Sequence, residues 1–204
     1  MTHWTELKES PLWIAAVAAH AAPAGRHYHN MSHVRRLYLH AAITFDFPYC
    51  PDLDRAILAH DAIVDGKPGA ERRSVAWLAE QGELTPGAER LILSTETHAP
   101  GEDNRLVILD LADFMFNSAS VNNTALLARE HAALKGGSHV DFARGTIAYL
   151  EGLAGRITNG LGQLPRVDDR FSFSRICIGI ETVIDNLHRE IEDLRPLDIE
   201  GLEP

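Results

Sequence analysis

The chain has 204 residues, of which 45% are hydrophobic and 24% are charged, values typical of one soluble globular domain with a sizeable core. Its formal net charge of −10 argues against a protein that grips a nucleic-acid polymer, because such a protein needs a surplus of Lys and Arg on one face. No apolar run is long enough to cross a membrane, so we expect no membrane partner. Cys50 and Cys177 match no paired metal-ligand spacing and are expected to be free thiols in a reducing cytoplasm.

The apolar spacing predicts helices nearly throughout the chain. Ser10-Pro11 is typical of a helix start, and a second helix is expected to begin near Asn30 or Ser32. The later helices are predicted, in chain order, over about 51–60, 70–81, 86–97, 104–117 and 123–135, from Ser138 onward, and along the apolar period from Ile180 to Leu194. Residues 170–178 also fit a strand.

These elements predict an all-α fold. None of the loops is long or biased enough in composition to be a linker, and no repeat has a fixed period. We therefore expect a single helical domain over residues 1–204, with a metal-binding core in about 26–120 and C-terminal helices in 121–195 that complete the bundle.

His60 and Asp61 form the first chemically informative pair. They follow an apolar helical run that ends at Ala59, so the pair is expected where a buried helix end meets a loop. A buried imidazole beside a carboxylate needs a partner, and a metal ion satisfies both at once. His60 and Asp61 are therefore candidate metal ligands.

A histidine-rich segment runs from Arg26 to His33. Within it, His29 and His33 are four residues apart and face the same way if the segment is helical. Capping chemistry at a helix that begins at Asn30 would also explain the pair. Because a second His-Asp unit follows in the chain, metal ligation is the favoured interpretation, with His33 as the ligand.

Two aspartates three residues apart, Asp110 and Asp113, lie inside a strongly hydrophobic predicted helix. An unpaired carboxylate in that position is costly, or shifts its pKa until it is neutral. One of the two can reach solvent, so the other is expected to have a positive partner in the interior, either a metal ion or an arginine. The residues alone leave open which aspartate this is.

Together these residues resemble the HD superfamily of metal-dependent phosphohydrolases, whose pattern is His … His-Asp … Asp. Arg26-x-Tyr28-His29-Asn30-x-x-His33 and Ala59-His60-Asp61-Ala62 resemble a group of small predicted HD phosphohydrolases. The resemblance continues to about residue 194 through Glu71-Arg72-Arg73-Ser74, Thr95-x-x-His98, Arg129-Glu130, Phe142-x-Arg144-Gly145 and Asn186-Leu187-x-x-Glu190. It implies an HD-type helical domain that holds one divalent metal ion.

A second resemblance concerns the HD hydrolases of the alarmone (p)ppGpp. Leu111-Ala112-Asp113 followed by Asn117 is similar to their Leu-Ala-Asp-x-x-x-Asn, which implies Asp113 as the last metal ligand. The implied ligand set is therefore His33, His60, Asp61 and Asp113. Val64 stands where those hydrolases carry a Glu, and this departure argues against an alarmone substrate.

Two imidazoles and two carboxylates suit Mn, Zn, Co, Ni or Fe as the divalent ion, and ligand type does not choose among them. Such an ion lowers the pKa of a bound water and polarises a phosphoryl group. Asp65, four residues after Asp61, is the candidate proton acceptor or positioning group, although a turn-forming Asp-Gly explains it equally well. Glu71 is a second candidate for proton transfer.

Phosphoryl charge also needs positive groups from the protein. Arg26 is the first candidate because its planar guanidinium suits phosphate. Arg26, Asp65 and Glu71 are the candidate catalytic residues. The candidate substrate-binding residues are Lys67, Arg72, His29, His98 and Asn117. The two histidines could instead support a metal ligand from behind.

The predicted function is hydrolysis of a phosphate ester or anhydride in a nucleotide or a related small metabolite. A homodimer is compatible with this function. Two alternatives stay open: an HD-type oxygenase with two irons, and a non-catalytic nucleotide-binding module with a structural metal. Proteins that resemble the di-metal pattern carry two additional histidines before the last aspartate. Only His98 lies between Asp61 and Asp113 here, which argues against a second metal site.

Overall fold

The computed structural model describes residues 7–21, 25–115, 120–164 and 166–193, and this part of the chain contains helices and no strand. The helices are α1 (Pro11–Ala21), α2 (Met31–Leu39), α3 (Pro51–Ala59), α4 (Ala70–Glu80), α5 (Pro86–Ser94), α6 (Arg105–Met115), α7 (Ser120–Lys135), α8 (His139–Leu161) and α9 (Val167–Asp193). A short π-helical turn, His40–Thr44, continues α2. The predicted all-α fold is confirmed.

Several helices begin where side chains can satisfy the free N–H groups of the first turn. Asn30 caps α2, and Thr85 caps α5 just before a proline. Ser138 and Asp141 cap α8 reciprocally, each accepting from the other's backbone N–H. These local signals explain why the helix starts could be predicted from the sequence.

The strand alternative for residues 170–178 is wrong, because the segment lies inside the long helix α9. Phe173, Ile176 and Ile180 are fully buried, and their spacing of three and four residues is that of one helix face. Phe171 and Ile178 lie on the opposite face and are 65% exposed. The apolar residues of this segment therefore lie on two faces of one helix.

Two hydrophobic cores meet at α6. Leu106 and Leu109 pack into the core formed with α1 to α5, whereas Val107 and Ile108 pack into the core formed with α8 and α9. Full burial of each such side chain contributes roughly 1.5–3 kcal/mol. Helix α6 is therefore anchored from both sides, and the aspartates that it carries lie between the two cores.

Within the described ranges, no helix combines the length and the apolar character that crossing a bilayer requires. Cys50 and Cys177 are free thiols.

Candidate metal centre

Four side chains from three parts of the chain converge between the cores. His33 lies on α2, His60 and Asp61 follow the last residue of α3, and Asp110 lies on α6. Nε2 of His33 is 3.3 Å from Nε2 of His60 and 3.3 Å from Oδ1 of Asp110. Oδ2 of Asp61 is 3.0 Å from Nε2 of His60 and 3.5 Å from Nε2 of His33. We call these four residues the His/Asp cluster.

The tautomer of His33 is set by Asp113. Nδ1 of His33 is 2.8 Å from Oδ2 of Asp113, and an ionised carboxylate can only accept, so Nδ1 carries a hydrogen. In the neutral imidazole, Nε2 then presents its lone pair to the cluster. Metal-binding histidines are commonly held in this way by a carboxylate behind the ring.

His60 is held in the same tautomer by the backbone. Its Nδ1 is 3.1 Å from the carbonyl oxygen of Ile57, so Nδ1–H donates there and Nε2 keeps its lone pair. When both rings are neutral, the Nε2 atoms of His33 and His60 therefore face each other with two lone pairs across 3.3 Å. This arrangement is stable only if a proton or a metal ion binds between or beside them.

The donor set fits a divalent ion. Oδ2 of Asp61 is buried and, among the described residues, has no hydrogen-bond partner of acceptable geometry, which is costly for a carboxylate oxygen. The ligand atoms of His33, His60 and Asp110 all lie within 4.8 Å of one another. Neighbouring ligands bound to one ion at ~2.0–2.2 Å lie about 3 Å apart, close to the spacing observed in the cluster.

The pKa of His33 shows how strongly its surroundings favour a cation. Burial disfavours the charged imidazole, but hydrogen bonds to Asp110 and Asp113 raise the pKa of His33 to about 10. A proton on Nε2 and a metal ion would occupy the same lone pair. The environment of His33 therefore favours positive charge at the centre of the cluster.

The two cluster carboxylates are ionised at neutral pH. Burial alone would raise the pKa of Asp61, yet the neighbouring His60 and His29 hold it well below the usual value. Burial also acts against ionisation of Asp110, and the hydrogen bond from His33 is the largest influence that lowers its pKa. The cluster therefore combines two anionic oxygens with two imidazole nitrogens, as a mixed N/O metal site requires.

Asp113, expected from the sequence as the last ligand, lies on the Nδ1 side of His33 and away from the cluster. Oδ1 accepts from Nε of Arg36 at 2.6 Å, and Oδ2 accepts from the Tyr28 hydroxyl at 2.9 Å. Burial opposes its ionisation, but His33 and Arg36 lower the pKa of Asp113 to about 2. Because Asp110 and Asp113 are three residues apart on one helix face, the ring of His33 lies between them and gives one nitrogen to each. The cluster thus includes Asp110 in the place expected for Asp113, and Asp113 forms the buried Asp–Arg pair.

Arg26 holds the backbone of the site. Its Nη1 donates to the carbonyl oxygen of Asp61 at 2.9 Å, and its Nη2 donates to the carbonyl oxygen of Ala62 at 2.8 Å. Nη1 also lies 3.2 Å from Nδ1 of His20. Burial lowers the pKa of the Arg26 guanidinium. Both terminal nitrogens thus face protein groups and fix the segment that carries Asp61.

Asp65 is engaged in a turn. Its Oδ1 accepts from the backbone N–H of Lys67 at 3.0 Å and from Nη2 of Arg73 at 2.6 Å. These contacts lower the pKa of Asp65, which makes the carboxylate a poorer proton acceptor. Glu71 lies in the first turn of α4. Neither acid belongs to the His/Asp cluster, and both border a cavity beside it.

His29 is paired with Glu130 of α7. One oxygen of Glu130 bonds Nδ1 of His29, and the other accepts the backbone N–H groups of His27, Tyr28 and His29 at 2.9, 2.9 and 3.1 Å. Nε2 of His29 lies 4.0 Å from Oδ2 of Asp61. Burial opposes the charged imidazole, but Asp61 and Glu130 raise the pKa of His29. Glu130 thus ties α7 to the segment before α2 and orients His29 toward the cluster.

His98 supports a cluster ligand. Its Nε2 is 2.8 Å from Oδ2 of Asp110, and its Nδ1 is 2.9 Å from the hydroxyl of Tyr149. Because the carboxylate accepts from Nε2–H, Nδ1 accepts the hydroxyl hydrogen. The hydrogen bonds from Tyr149 to His98 and from His98 to Asp110 hold Oδ2 of Asp110, while Oδ1 faces His33. His98 was expected either to contact a substrate or to support a metal ligand, and the observed contact is with Asp110, a candidate metal ligand.

The other predicted substrate-binding residues differ in position. Lys67 borders a cavity next to the cluster. Arg72 extends from α4 with a side chain that is 70% exposed, 3.5 Å from a carboxylate oxygen of Glu96, and it borders neither cavity described below. Asn117 lies outside the described residues.

Two adjoining cavities open onto the cluster. The first, about 320 Å³, reaches Asp110, and the second, about 390 Å³, reaches Asp61. Most side chains around the first are apolar or aromatic: Tyr28, Leu111, Phe114, Met115, Leu127, Phe142, Tyr149 and Leu150. The second is bordered by both Lys67 and Lys135. We call them the apolar cavity and the lysine cavity, and His29 borders both.

Comparison with known protein families, with curated proteins and with solved structures found no match for this chain. The cluster and the two cavities are therefore the main observations on which a function can be proposed.

Three supporting residues were not predicted to belong to the site. Arg36 follows His33 by three residues, and this helical spacing could have indicated it. Glu130 belongs to one of the elements that resemble the HD group, but nothing in its local sequence shows that it reaches His29. Tyr149 has no local signal, because its contact with His98 depends on how α8 packs.

Proposed function

We propose that this chain is a metal-dependent phosphohydrolase related to the HD superfamily. Its substrate would be a phosphate ester or anhydride in a nucleotide or a similar small metabolite, and it would act in the cytoplasm. The observation that carries the proposal is the convergence of two imidazole Nε2 atoms and two carboxylates beside two cavities. Such a donor set binds divalent ions, and cavities beside it can admit a substrate.

The chemistry divides between the ion and the protein. A divalent ion held by His33, His60, Asp61 and Asp110 would supply Lewis acidity for a phosphoryl oxygen and would lower the pKa of a water molecule. The protein keeps these ligands oriented, for example through Asp113 behind His33. The surrounding residues thus favour a fixed ligand geometry.

His29 is the residue best placed to exchange a proton with the substrate. Glu130 bonds its Nδ1, which leaves Nε2 directed toward Asp61 and bordering both cavities. At that nitrogen it can hold a proton next to a phosphate oxygen or a water molecule. Asp65 and Glu71 border the lysine cavity but not the apolar cavity. They are therefore less directly placed for this step.

The oxygenase alternative receives less support from the geometry. Among the described residues, the one candidate metal group is formed by His33, His60 and Asp110. Of the two neighbouring imidazoles, His98 has both nitrogens engaged, by Asp110 and Tyr149, whereas His29 has only Nδ1 engaged, by Glu130. These two histidines would therefore offer a second metal ion a single nitrogen, Nε2 of His29.

The test removes ligands one at a time. His60→Ala and Asp61→Ala should each abolish metal retention and phosphohydrolase activity together, while circular dichroism shows the helical content of the wild type. His188→Ala, an exposed histidine on α9, is the matched control and should keep both properties. Metal content is measured by mass spectrometry, and activity by the separate release of phosphate and pyrophosphate from a panel of nucleotides with several divalent ions. Activity that survives both cluster substitutions would contradict the proposal.

A further inference from the structure

The apolar cavity has the walls expected of a pocket for a flat, uncharged ring. Tyr28, Phe114, Phe142 and Tyr149 contribute aromatic rings to it, and aromatic faces and edges pack well against planar ligands. Its volume of about 320 Å³ lies at the lower end of the range for small-molecule sites. The cavity can therefore admit one ring system of modest size, and it reaches the cluster at Asp110.

The lysine cavity is bordered by charged side chains of both signs, the four acids Asp61, Asp65, Glu71 and Glu130 and two lysines. The chain contains only three lysines, and two of them, Lys67 and Lys135, border this cavity. Among the described residues, neither ammonium group has a carboxylate oxygen within 4.0 Å. Of the four acids, Asp65 is paired with Arg73, Glu130 is paired with His29, and Asp61 belongs to the His/Asp cluster. Two unpaired lysines in one cavity are available to a polyanion.

The backbone keeps the two lysines close to each other. Gly66, with φ of +73°, lies against the C-terminal end of α7, and a Cβ at this position would come within 3.1 Å of Cγ of Lys135. A larger residue would push the turn away from α7. The turn that carries Lys67 can therefore lie beside Lys135 because residue 66 is glycine.

We infer that the substrate is a nucleoside di- or triphosphate that spans both cavities. Its base and sugar occupy the apolar cavity, its terminal phosphates occupy the lysine cavity, and the phosphorus next to the sugar lies at the His/Asp cluster. This inference rests on the proposed function and adds to it the substrate class and the bond that is broken. Asp110 of the cluster borders the apolar cavity and Asp61 borders the lysine cavity, which places the cluster where the two cavities adjoin and an internal phosphorus beside it.

The orientation determines the products. Water adds its oxygen to the phosphorus next to the sugar, and the bridging P–O bond on the lysine side breaks. A nucleoside triphosphate and water give a nucleoside monophosphate, pyrophosphate and one proton, and a diphosphate gives phosphate in place of pyrophosphate. The departing anion carries the charge that Lys67 and Lys135 can stabilise.

Gly145 allows the apolar cavity to be filled without disturbing the fold. It lies on α8 at the wall of this cavity, and a Cβ built there meets no atom within 4 Å. Gly145→Leu therefore adds a side chain at an open position and also favours the helix. Gly155, on the same helix, has equally open surroundings and borders none of the described cavities. Gly155→Leu is thus the matched control.

The lysine cavity is tested by the double variant Lys67→Gln/Lys135→Gln. Lys8→Gln is its control, because Lys8 is the remaining lysine, is exposed and borders none of the described cavities. Glutamine keeps most of the length of the lysine side chain and removes its charge.

Binding is measured by calorimetry in Mn²⁺ buffer with three kinds of probe: the four α,β-methylene ribonucleoside triphosphates, the four ribonucleoside monophosphates and inorganic pyrophosphate. Gly145→Leu should lower the affinity for the tightest-binding triphosphate analogue and for the corresponding monophosphate by about tenfold or more, and should leave the affinity for pyrophosphate unchanged. The double lysine variant should lower the affinity for that analogue and for pyrophosphate by about tenfold or more, and should leave the affinity for the monophosphate unchanged. Both control variants should stay within about twofold of the wild type.

The inference is overturned if no analogue binds the wild type, if Gly145→Leu behaves like Gly155→Leu, or if the lysine variant weakens monophosphate and triphosphate alike. Product analysis separates it from the proposed function. Turnover to nucleoside diphosphate and phosphate, or to nucleoside and triphosphate, would overturn the inference and leave the proposed function standing. The expected binding pattern without turnover of any phosphorylated compound would support the two-cavity orientation and contradict hydrolysis.

Discussion

At the residue scale, the cluster is organised by which nitrogen of each histidine faces it. His33 gives Nδ1 to Asp113 and Nε2 to the cluster, and His60 gives Nδ1 to a backbone carbonyl. Asp110 is held in a similar way, with one oxygen on His98 and the other facing His33. Each of these three ligands thus has one fixed atom and one atom available for a cation, and the two aspartates of α6 have different roles.

This division predicts different effects for two chemically identical substitutions. Asp110→Asn replaces a charged ligand atom and should abolish tight binding of Mn²⁺ or Zn²⁺. Asp113→Asn keeps the shape behind His33 but removes its charge, so we expect metal affinity to fall by about 10–100-fold. Asp113→Asn should also lower the free energy of unfolding by roughly 3 kcal/mol, because the half-buried guanidinium of Arg36 loses its charged partner. Affinity is measured by competition with a chromophoric chelator, and stability by urea unfolding.

The control for this pair is Asp185→Asn, at an exposed position on α9, which should change neither quantity. If Asp113→Asn abolished binding and Asp110→Asn retained it, Asp113 would be the ligand and the arrangement around His33 described above would be incorrect.

How far the site could be predicted follows from the same residues. His33, His60 and Asp61 could be predicted, because a helical spacing and an apolar helix end are visible in the sequence. The choice between Asp110 and Asp113 could not, because both lie on the same helix face and both contact His33. It depends on where the ring of His33 enters between them and on Arg36, which closes the side of Asp113. The contacts of Arg26 could not be predicted either, because a sequence does not show which carbonyl groups a guanidinium will reach.

At the scale of helices, the starts were more predictable than the contacts. Caps such as Thr85 and the Ser138/Asp141 pair are local, so the sequence alone indicates where α5 and α8 begin. The position of α6 between two cores depends instead on residues far apart in the chain. Gly179 of α9 is one of them, since a Cβ at this position would lie 2.7 Å from Cβ of Met115 on α6.

Gly179→Ala should therefore destabilise the protein although alanine favours helices. The collision would force α6 and α9 apart at a cost of about 1–3 kcal/mol, which exceeds the helix-propensity gain of up to about 1 kcal/mol. Gly155→Ala, at an open helical position, should instead be neutral or slightly stabilising. Urea unfolding of both variants measures the difference. Equal stability of the two would mean that α6 and α9 do not approach as closely as the structure indicates.

At the scale of the whole molecule, the cluster joins elements that belong to different parts of the bundle. His33 comes from α2, His60 and Asp61 follow α3, and Asp110 comes from the central helix α6. Two ionised carboxylates lie together there in a chain whose net charge is already −10. A cation at this point would relieve their repulsion and link three helical segments that contact both cores.

Divalent ions should therefore raise the melting temperature of the whole domain. An ion that binds only the folded state stabilises it by about 2.7 kcal/mol when its concentration is 100 times its Kd. Differential scanning fluorimetry of chelator-treated protein, with and without added Mn²⁺, measures the shift. Asp110→Asn should lose it because the cluster then lacks a charged ligand, whereas Asp185→Asn should keep it. If both variants showed the same shift, the stabilisation would come from ions bound to acidic groups elsewhere on this negatively charged protein. Only binding at the His/Asp cluster makes the shift depend on Asp110.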